Sequence, residues 1–379
     1  MRNLLLLFAI AAPATAAPLL CLWDTDTLAQ EEARFPNTIE LLTGRFPRHS
    51  DAYYLWRIKD REARLAVTPD DVQLIDDLAV AWSKLGKDAK AVELMEAKEK
   101  LQPGLYETAA NLGTFHIHAG DFAEGAKHIE RAIEINPDAH FGREVYQFLL
   151  VQYVLKVRGE SEASSLPLQS KDVGGFSRTA SHGFWSFVKE QRGTVEGGEV
   201  AEIASAMKGV LGMMRFGNYN SPILCEALSD LLLADRKTDA KQLAARALLQ
   251  ASYQAKDAAA QAAYRGKASS ALDMQTPESG APRSITLGEV ETVFKVELAE
   301  AETWWKILEA DELKWIASQD NVDERFAEKY YGITERTPAG GWLTPLRRDQ
   351  IFLGLGATLL ALVLARRRYR LAAETVAAA

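Results

Sequence analysis

The chain has 379 residues and a formal net charge of −8, with 47% hydrophobic and 25% charged residues. This composition is typical of a globular protein and argues against a mainly disordered chain. The negative charge, with no basic run inside the predicted folded region, argues against a nucleic-acid-binding protein. Two cysteines exclude a disulfide-dense fold and a zinc site built only from thiolates of one chain.

The first residues are typical of an export signal. Arg2 gives a positive n-region, Leu4 to Ala12 are all apolar, and Ala14 to Ala16 supply small residues for a signal peptidase. We predict a signal peptide over residues 1–17, with cleavage before Ala17 or before Pro18. The apolar stretch is too short to span a bilayer, and an uncleaved anchor is the alternative.

A second apolar segment lies near the other end of the chain. Ile351 to Ala365 carries no charge, and a cluster of arginines follows at once. Snorkelling arginines and local thinning let so short a segment cross a bilayer, and the positive-inside rule keeps the arginines in the cytoplasm. We predict a transmembrane helix over residues 346–370 and a cytoplasmic tail over 371–379. The body of a single-pass cytoplasmic-membrane protein would then lie on the periplasmic side, and a buried helix of a soluble protein is the alternative.

A repeat runs through the first half of the chain. Pro69, Pro103 and Pro137 are separated by 34 residues each, a period typical of stacked helical hairpins. In the last two periods a glycine that can adopt positive φ is placed to end a first helix, and a proline is placed to end a second. The matching positions are Leu78 and Leu112, Ala79 and Gly113, Gly86 and Gly120, Ala91 and Gly125, and Pro103 and Pro137.

This pattern resembles the tetratricopeptide repeat (TPR) family. The likeness rests on the period, on Leu112-Gly113, on Gly120-Asp121-Phe122, and on Ala132 and Pro137. Lys98 and His116 depart from the family pattern. The resemblance implies a solenoid of helical hairpins over residues 18–158, with a concave wall that binds a protein or peptide partner.

The rest of the body is also predicted to be helical. We expect a linker over 159–183, a second helical region over 184–274, and a linker, a long helix and a juxtamembrane segment over 275–345. The second region should hold three or four helices, and the long helix should run from Leu287 to Ala317. Because no segment alternates with period two over the length of a strand, the whole body is predicted to be all-α.

The resemblance also implies which side chains line the concave wall. These residues are Asp76, Asp77, Val80, Lys84, Asn111, Thr114, His118, Glu144 and Phe148. An asparagine at the position of Asn111 commonly bonds a peptide backbone in this family. The alternative is that the wall packs against Phe176 to Trp185 or against the C-terminal helices, because a short stack has much apolar surface to cover.

The sequence contains no enzyme motif that we can identify. There is no phosphate loop, no nucleophile elbow and no H-E-x-x-H helix. His116 and His118 point to different faces of one helix and cannot chelate a metal together. We predict no catalytic residue, no metal and no cofactor, and leave open whether Cys21 pairs with Cys225.

Together these features predict an exported, membrane-anchored scaffold that binds a protein or peptide partner, without catalysis of its own and without binding nucleic acid. Two alternatives remain. One is an enzyme or envelope-assembly factor with its active groups in the second half, where the candidates are His182, Arg215, Asn218, Trp304, Trp305 and Trp315. The other is a structural subunit that oligomerises through the long helix.

Overall fold

The computed structural model describes residues 22–137, 142–158, 166–168, 183–193, 197–237, 240–273 and 285–332. Within these ranges the chain is helical and contains no strand, which confirms the prediction of an all-α body there. The helices are α1 (Thr25–Glu32), α2 (Thr38–Thr43), α3 (Asp51–Leu65), α4 (Val72–Lys84), α5 (Asp88–Leu101), α6 (Tyr106–Ala119), α7 (Phe122–Ile135), α8 (Arg143–Arg158), α9 (Gly183–Arg192), α10 (Gly198–Phe216), α11 (Pro222–Asp235), α12 (Ala240–Gln254), α13 (Ala258–Asp273), α14 (Leu287–Ala317) and α15 (Val322–Phe326). A π-helical turn, Ala327–Tyr331, continues α15.

The helices from α3 to α8 pack in chain order, each against the next. Gly86 and Gly120 follow α4 and α6 with φ of 70° and 93°, so each lies just beyond a helix end as expected. Both ends have the same hydrogen bonds. The N–H of Lys87 donates to the carbonyl of Trp82 at 2.9 Å, and that of Asp121 donates to the carbonyl of His116 at 2.8 Å. This bonding satisfies carbonyls that the helix itself leaves free.

The second hairpin, α6 and α7, depends on two glycines. A Cβ added at Gly113 would lie 2.5 Å from the Ile129 Cδ1 atom, and one added at Gly125 would lie 2.8 Å from the Gly113 carbonyl oxygen. In the first hairpin the matching positions hold Ala79 and Ala91, which are fully buried. The α6–α7 contact is therefore too close for any side chain at these positions.

In the predicted second helical region the described residues form five helices, α9 to α13, where three or four were expected. The additional break lies at residues 255–257, where the Asp257 carboxylate accepts the N–H of Ala260 at 2.8 Å and begins α13. Helix α11 lies in the middle of this region and is buried from Pro222 to Leu233. Its Glu226 carboxylate forms an ion pair with Lys267 at 2.5 Å, so a buried charge there has a partner.

The long helix α14 spans the residues predicted for it and packs against α2, α3 and α12. It therefore connects the hairpin stack to the second half. No helix in the described ranges is long and apolar enough to cross a membrane. The predicted signal peptide over 1–17 and the predicted transmembrane helix over 346–370 lie outside those ranges.

Candidate functional site

The nine residues predicted to line the concave wall lie on α4, α6 and α8, and we call the surface they form the inner wall. Six of them are buried, and Lys84, His118 and Phe148 are half-buried. The chain itself covers the wall. Its cover is the N-terminal segment Leu22–Glu32, which contains α1 and which the sequence analysis did not place.

Asn111 holds the main chain of this segment. The Trp23 N–H donates to the Asn111 Oδ1 atom at 2.9 Å, and the Asn111 Nδ2 atom donates to the Trp23 carbonyl oxygen, also at 2.9 Å. The same Nδ2 atom donates to Asp76 at 3.3 Å, and Asp76 pairs with Lys98 at 2.5 Å. Asn111 is fully buried. Asp76 fixes one side of its amide, and the other side pairs with the main chain of Trp23 as a neighbouring β-strand would.

Asp77 holds the next part of the segment. Its carboxylate accepts the Thr25 N–H at 2.9 Å and the Thr25 hydroxyl at 2.8 Å. Arg57 completes this group, since its Nη2 atom donates to the Thr25 hydroxyl oxygen at 2.8 Å and its Nη1 atom lies 2.9 Å from Asp24. Asp24 also caps α1 by accepting the N–H of Thr27 at 2.7 Å. The Asp24 carboxylate, the Thr25 N–H and the Thr25 hydroxyl thus all have buried partners.

The charges behind Asp77 form one buried network. Arg61 bonds Asp77 at 2.8 Å and Asp323 at 2.6 Å, and the Tyr53 hydroxyl donates to Asp323 at 2.6 Å. Burial alone would raise the pKa of Asp323, but Arg61 and Arg57 outweigh it and lower that pKa to about 2. The network therefore joins the inner wall to α15 through ionised groups that lie out of water.

His49 makes a second connection to the C-terminal helices. Its Nε2 atom lies 3.0 Å from the Asp26 carboxylate on α1, and its Nδ1 atom lies 2.5 Å from Glu312 on α14. The ring stacks on Tyr53 with centroids 3.5 Å apart. Burial alone would lower the pKa of His49, but Asp26 and Glu312 raise it to about 9. His49 is therefore a cation that ties α1 to α14 at neutral pH.

The other wall residues also have partners within the chain. Lys84 donates to the carbonyl oxygens of Phe216 and Gly217 at 2.8 and 3.2 Å, and burial lowers its pKa to about 8. Val80 packs in the apolar cluster that holds Leu22. The remaining contacts are Thr114 with Gln147 at 3.3 Å, His118 with Ser83 at 3.0 Å, Glu144 with Tyr106 at 2.7 Å, and Phe148 against the large apolar core.

The inner wall is therefore covered by other residues of the same chain, and its binding of a partner stays a prediction. The alternative, in which the wall packs against other parts of the chain, describes it more closely, although the cover differs from the one expected. Residues 176–182 lie outside the described ranges, and the main cover is the segment Leu22–Glu32, with the end of α10 lying against Lys84. Physically, two buried carboxylates require cationic or N–H partners. The neighbouring helices supply Lys98 to Asp76 and Arg57 and Arg61 to Asp77, and the N-terminal segment adds the Thr25 N–H and hydroxyl to Asp77.

The residues considered for an active site in the second half contact different neighbours. Arg215 donates to the Gln30 carbonyl oxygen, whereas Trp304 and Trp315 both lie against the Tyr330 ring. Trp305 lies beneath Arg48, whose guanidinium carbon is 4.4 Å from the ring centroid. In this half the described residues place aromatic side chains in packing contacts, and His182 lies outside the described ranges.

Among the described residues no group of three or more His, Cys, Asp or Glu side chains could hold a metal ion. His116 and His128 stack with centroids 5.4 Å apart, but without a third ligand. Cys225 is a free, fully buried thiol, and burial raises its pKa. Cys21 lies outside the described ranges.

Comparison with known proteins gave no match to a family model, to a curated protein or to a solved structure. The resemblance to the TPR family therefore stays a prediction, carried by the residues quoted above.

Proposed function

We propose that this protein is an exported, membrane-anchored TPR-type scaffold that binds an extended segment of a protein partner on its inner wall, without catalysis of its own. The observation that carries the proposal is the paired hydrogen bond between the Asn111 amide and the main chain of Trp23. The membrane anchor and the export signal are the two apolar terminal segments of the sequence.

Main-chain bonding supports a peptide-binding function for a physical reason. The N–H and carbonyl of one residue are common to every peptide, so the Asn111 amide suits any extended segment that reaches it. Because Asp76 already holds the amide in position, little rearrangement is needed when a segment binds. The inner wall thus combines a main-chain clamp with an apolar surface around Val80.

The test asks whether the wall binds a peptide that is not part of the same chain. A protease site inserted between Arg34 and Phe35, which are exposed between α1 and α2, allows the N-terminal segment to be cut free after folding. A fluorescent peptide of residues 22–34 is then added in excess, and its binding is followed by anisotropy. We expect saturable binding to the cut chain, with the fold checked by circular dichroism.

The matched controls are two asparagine variants. Asn111→Ala removes the clamp and should weaken peptide binding at least about tenfold, because two main-chain groups lose their partners. Asn136→Ala changes an exposed residue at the end of α7 and should leave binding unchanged. The proposal fails if the folded cut chain binds no peptide, or if both variants bind it equally well.

A further inference from the structure

We infer that the inner wall selects its partner by side chains as well as by main chain. It would take a segment with the order apolar, aromatic, acidic and hydroxyl, in which the acidic residue is extended and the hydroxyl residue begins a helix. The chain's own residues Leu22 to Thr25 are the resident occupant that such a partner displaces. This inference rests on the proposed function and specifies the ligand of the same surface.

The first two positions have apolar sites. Leu22 is 1% exposed and packs in a cluster that includes Val80 and Phe115. The Trp23 ring meets the Tyr106 ring edge-on, with centroids 5.8 Å apart and planes at 85°. An edge-on contact of this kind favours an aromatic ring over an aliphatic side chain of similar size. The clamp on the Trp23 main chain fixes which residue enters each site.

The third position places an acidic side chain against a buried cation, and burial outweighs that cation and raises the pKa of Asp24. The Asp24 side chain is 2% exposed, and its Oδ2 atom lies 2.9 Å from the Arg57 Nη1 atom, on a guanidinium that is itself fully buried. Arg57 also contacts Asp77 at 3.0 Å, so one cation serves a carboxylate of the wall and one of the segment. A neutral residue in place of Asp24 would leave part of the guanidinium charge without an anion.

The fourth position is built for a hydroxyl. The Thr25 hydroxyl donates to Asp77 at 2.8 Å and accepts from the Arg57 Nη2 atom at 2.8 Å, so both its donor and its acceptor capacities are used. Serine meets the same requirement, and valine, with the same shape, does not. Sites that bond a hydroxyl discriminate strongly against an analogue that lacks it, because the buried partners lose their bonds.

The resident segment also closes the site. It is joined to α2 by residues 33–37 only, so it competes for the wall at the high effective concentration of a short tether. A partner must therefore carry the same pattern and be present in excess, or the tethered segment must be weakened. Recognition of the partner and release of the N-terminal segment are one exchange on one surface.

The experiment uses the cut chain as host and compares labelled peptides of residues 22–34. Thr25→Val and Asp24→Asn peptides should each bind at least about tenfold more weakly than the natural sequence. A Thr25→Ser peptide should bind within about threefold of it. Asparagine still caps the helix, so the Asp24→Asn peptide tests the charge at this position and not its capping bond. A peptide with residues 22–25 in reverse order should not bind.

Competition is tested on the uncut full chain. The natural peptide should bind it about 100-fold more weakly than it binds the cut chain, and Thr25→Val in the chain's own segment should recover most of that loss. A Val67→Thr chain, changed at a distant exposed position, is the control and should behave as the unaltered chain.

The outcomes separate the two proposals. Equal binding of all peptides, the reversed one included, would overturn the side-chain selection and leave the main-chain clamp in place. Equal affinity of the cut and uncut chains would overturn the competition. Absence of binding by every peptide, with a folded host, would overturn the proposed function together with this inference.

Discussion

Arg57→Leu is the substitution expected to affect the folded chain most strongly. Its guanidinium is fully buried and lies 2.9 Å from Asp24 and 3.0 Å from Asp77, besides donating to the Thr25 hydroxyl. Leucine would leave two buried carboxylates with less compensation, and breaking a buried ion pair from one side costs about 3–5 kcal/mol. We expect the free energy of unfolding to fall by that amount, measured by urea titration with circular dichroism.

The matched control is Arg34→Leu. Arg34 also pairs with a carboxylate, Glu40, at 2.7 Å, but its side chain is 71% exposed. An exposed pair contributes about 0–1 kcal/mol, so this variant should unfold close to the unaltered chain. If Arg57→Leu cost no more than Arg34→Leu, the buried network would not hold the N-terminal segment, and the reasoning above would be refuted.

The remaining predictions concern packing and pH. Gly113→Ala should destabilise the chain by about 1–3 kcal/mol, because the new methyl group would overlap Ile129, whereas Gly266→Ala, which meets nothing within 4 Å, should stabilise α13 by about 0.5–1 kcal/mol. Urea titration of both variants checks this pair, and similar values for the two would contradict the close α6–α7 contact. The His49 cation should contribute its full stability below about pH 6.5 and lose it as the pH rises through about 9, since its folded pKa is raised. The rise in pKa from 6.5 to about 9 corresponds to a contribution of about 3 kcal/mol, at 1.36 kcal/mol per pKa unit. The free energy of unfolding of a His49→Gln variant should therefore not show this decline between pH 6.5 and 9. An unchanged decline in that variant would show that another group titrates.

The local features of the fold could be predicted from the sequence because they depend on neighbours along the chain. Gly86 and Gly120 lie beyond helix ends since positive φ is cheap only for glycine, and both adopt it. The bounds of α14 follow from Thr286, which caps its first turn together with Glu289, and from a long run without helix breakers. Each of these signals acts over a few residues.

The cover of the inner wall could not be predicted in this way, since its contacts join residues far apart in the chain. Trp23 and Asn111 are 88 positions apart, and Thr25 and Asp77 are 52 apart. Apolar residues around Thr25 do not recur at regular helical or strand spacing, so the local sequence does not distinguish this buried segment from an exposed terminus. The adjacent acids on α4, Asp76 and Asp77, did carry a local signal, because they indicate that cations lie nearby.

Those acids, Asp76 and Asp77, are both buried, and neither caps the helix. Asp71 does cap α4, accepting the N–H of Gln73 at 3.1 Å, but Asp76 and Asp77 lie five and six positions later and are 2% and 1% exposed. Two carboxylates inside an otherwise apolar helix predict buried cations, and Lys98 and Arg57 are those cations. Their identity could not be derived without the tertiary fold.

The most direct measurement of the central claim is amide hydrogen exchange at Trp23 and Thr25 in the full chain. Both N–H groups donate to buried side chains, so we predict exchange at least about 100-fold slower than in a free peptide. In Asn111→Ala the protection of Trp23 should fall, while amides within α11 keep theirs. Exchange of Trp23 and Thr25 at the rate of a free peptide in the unaltered chain would contradict the account.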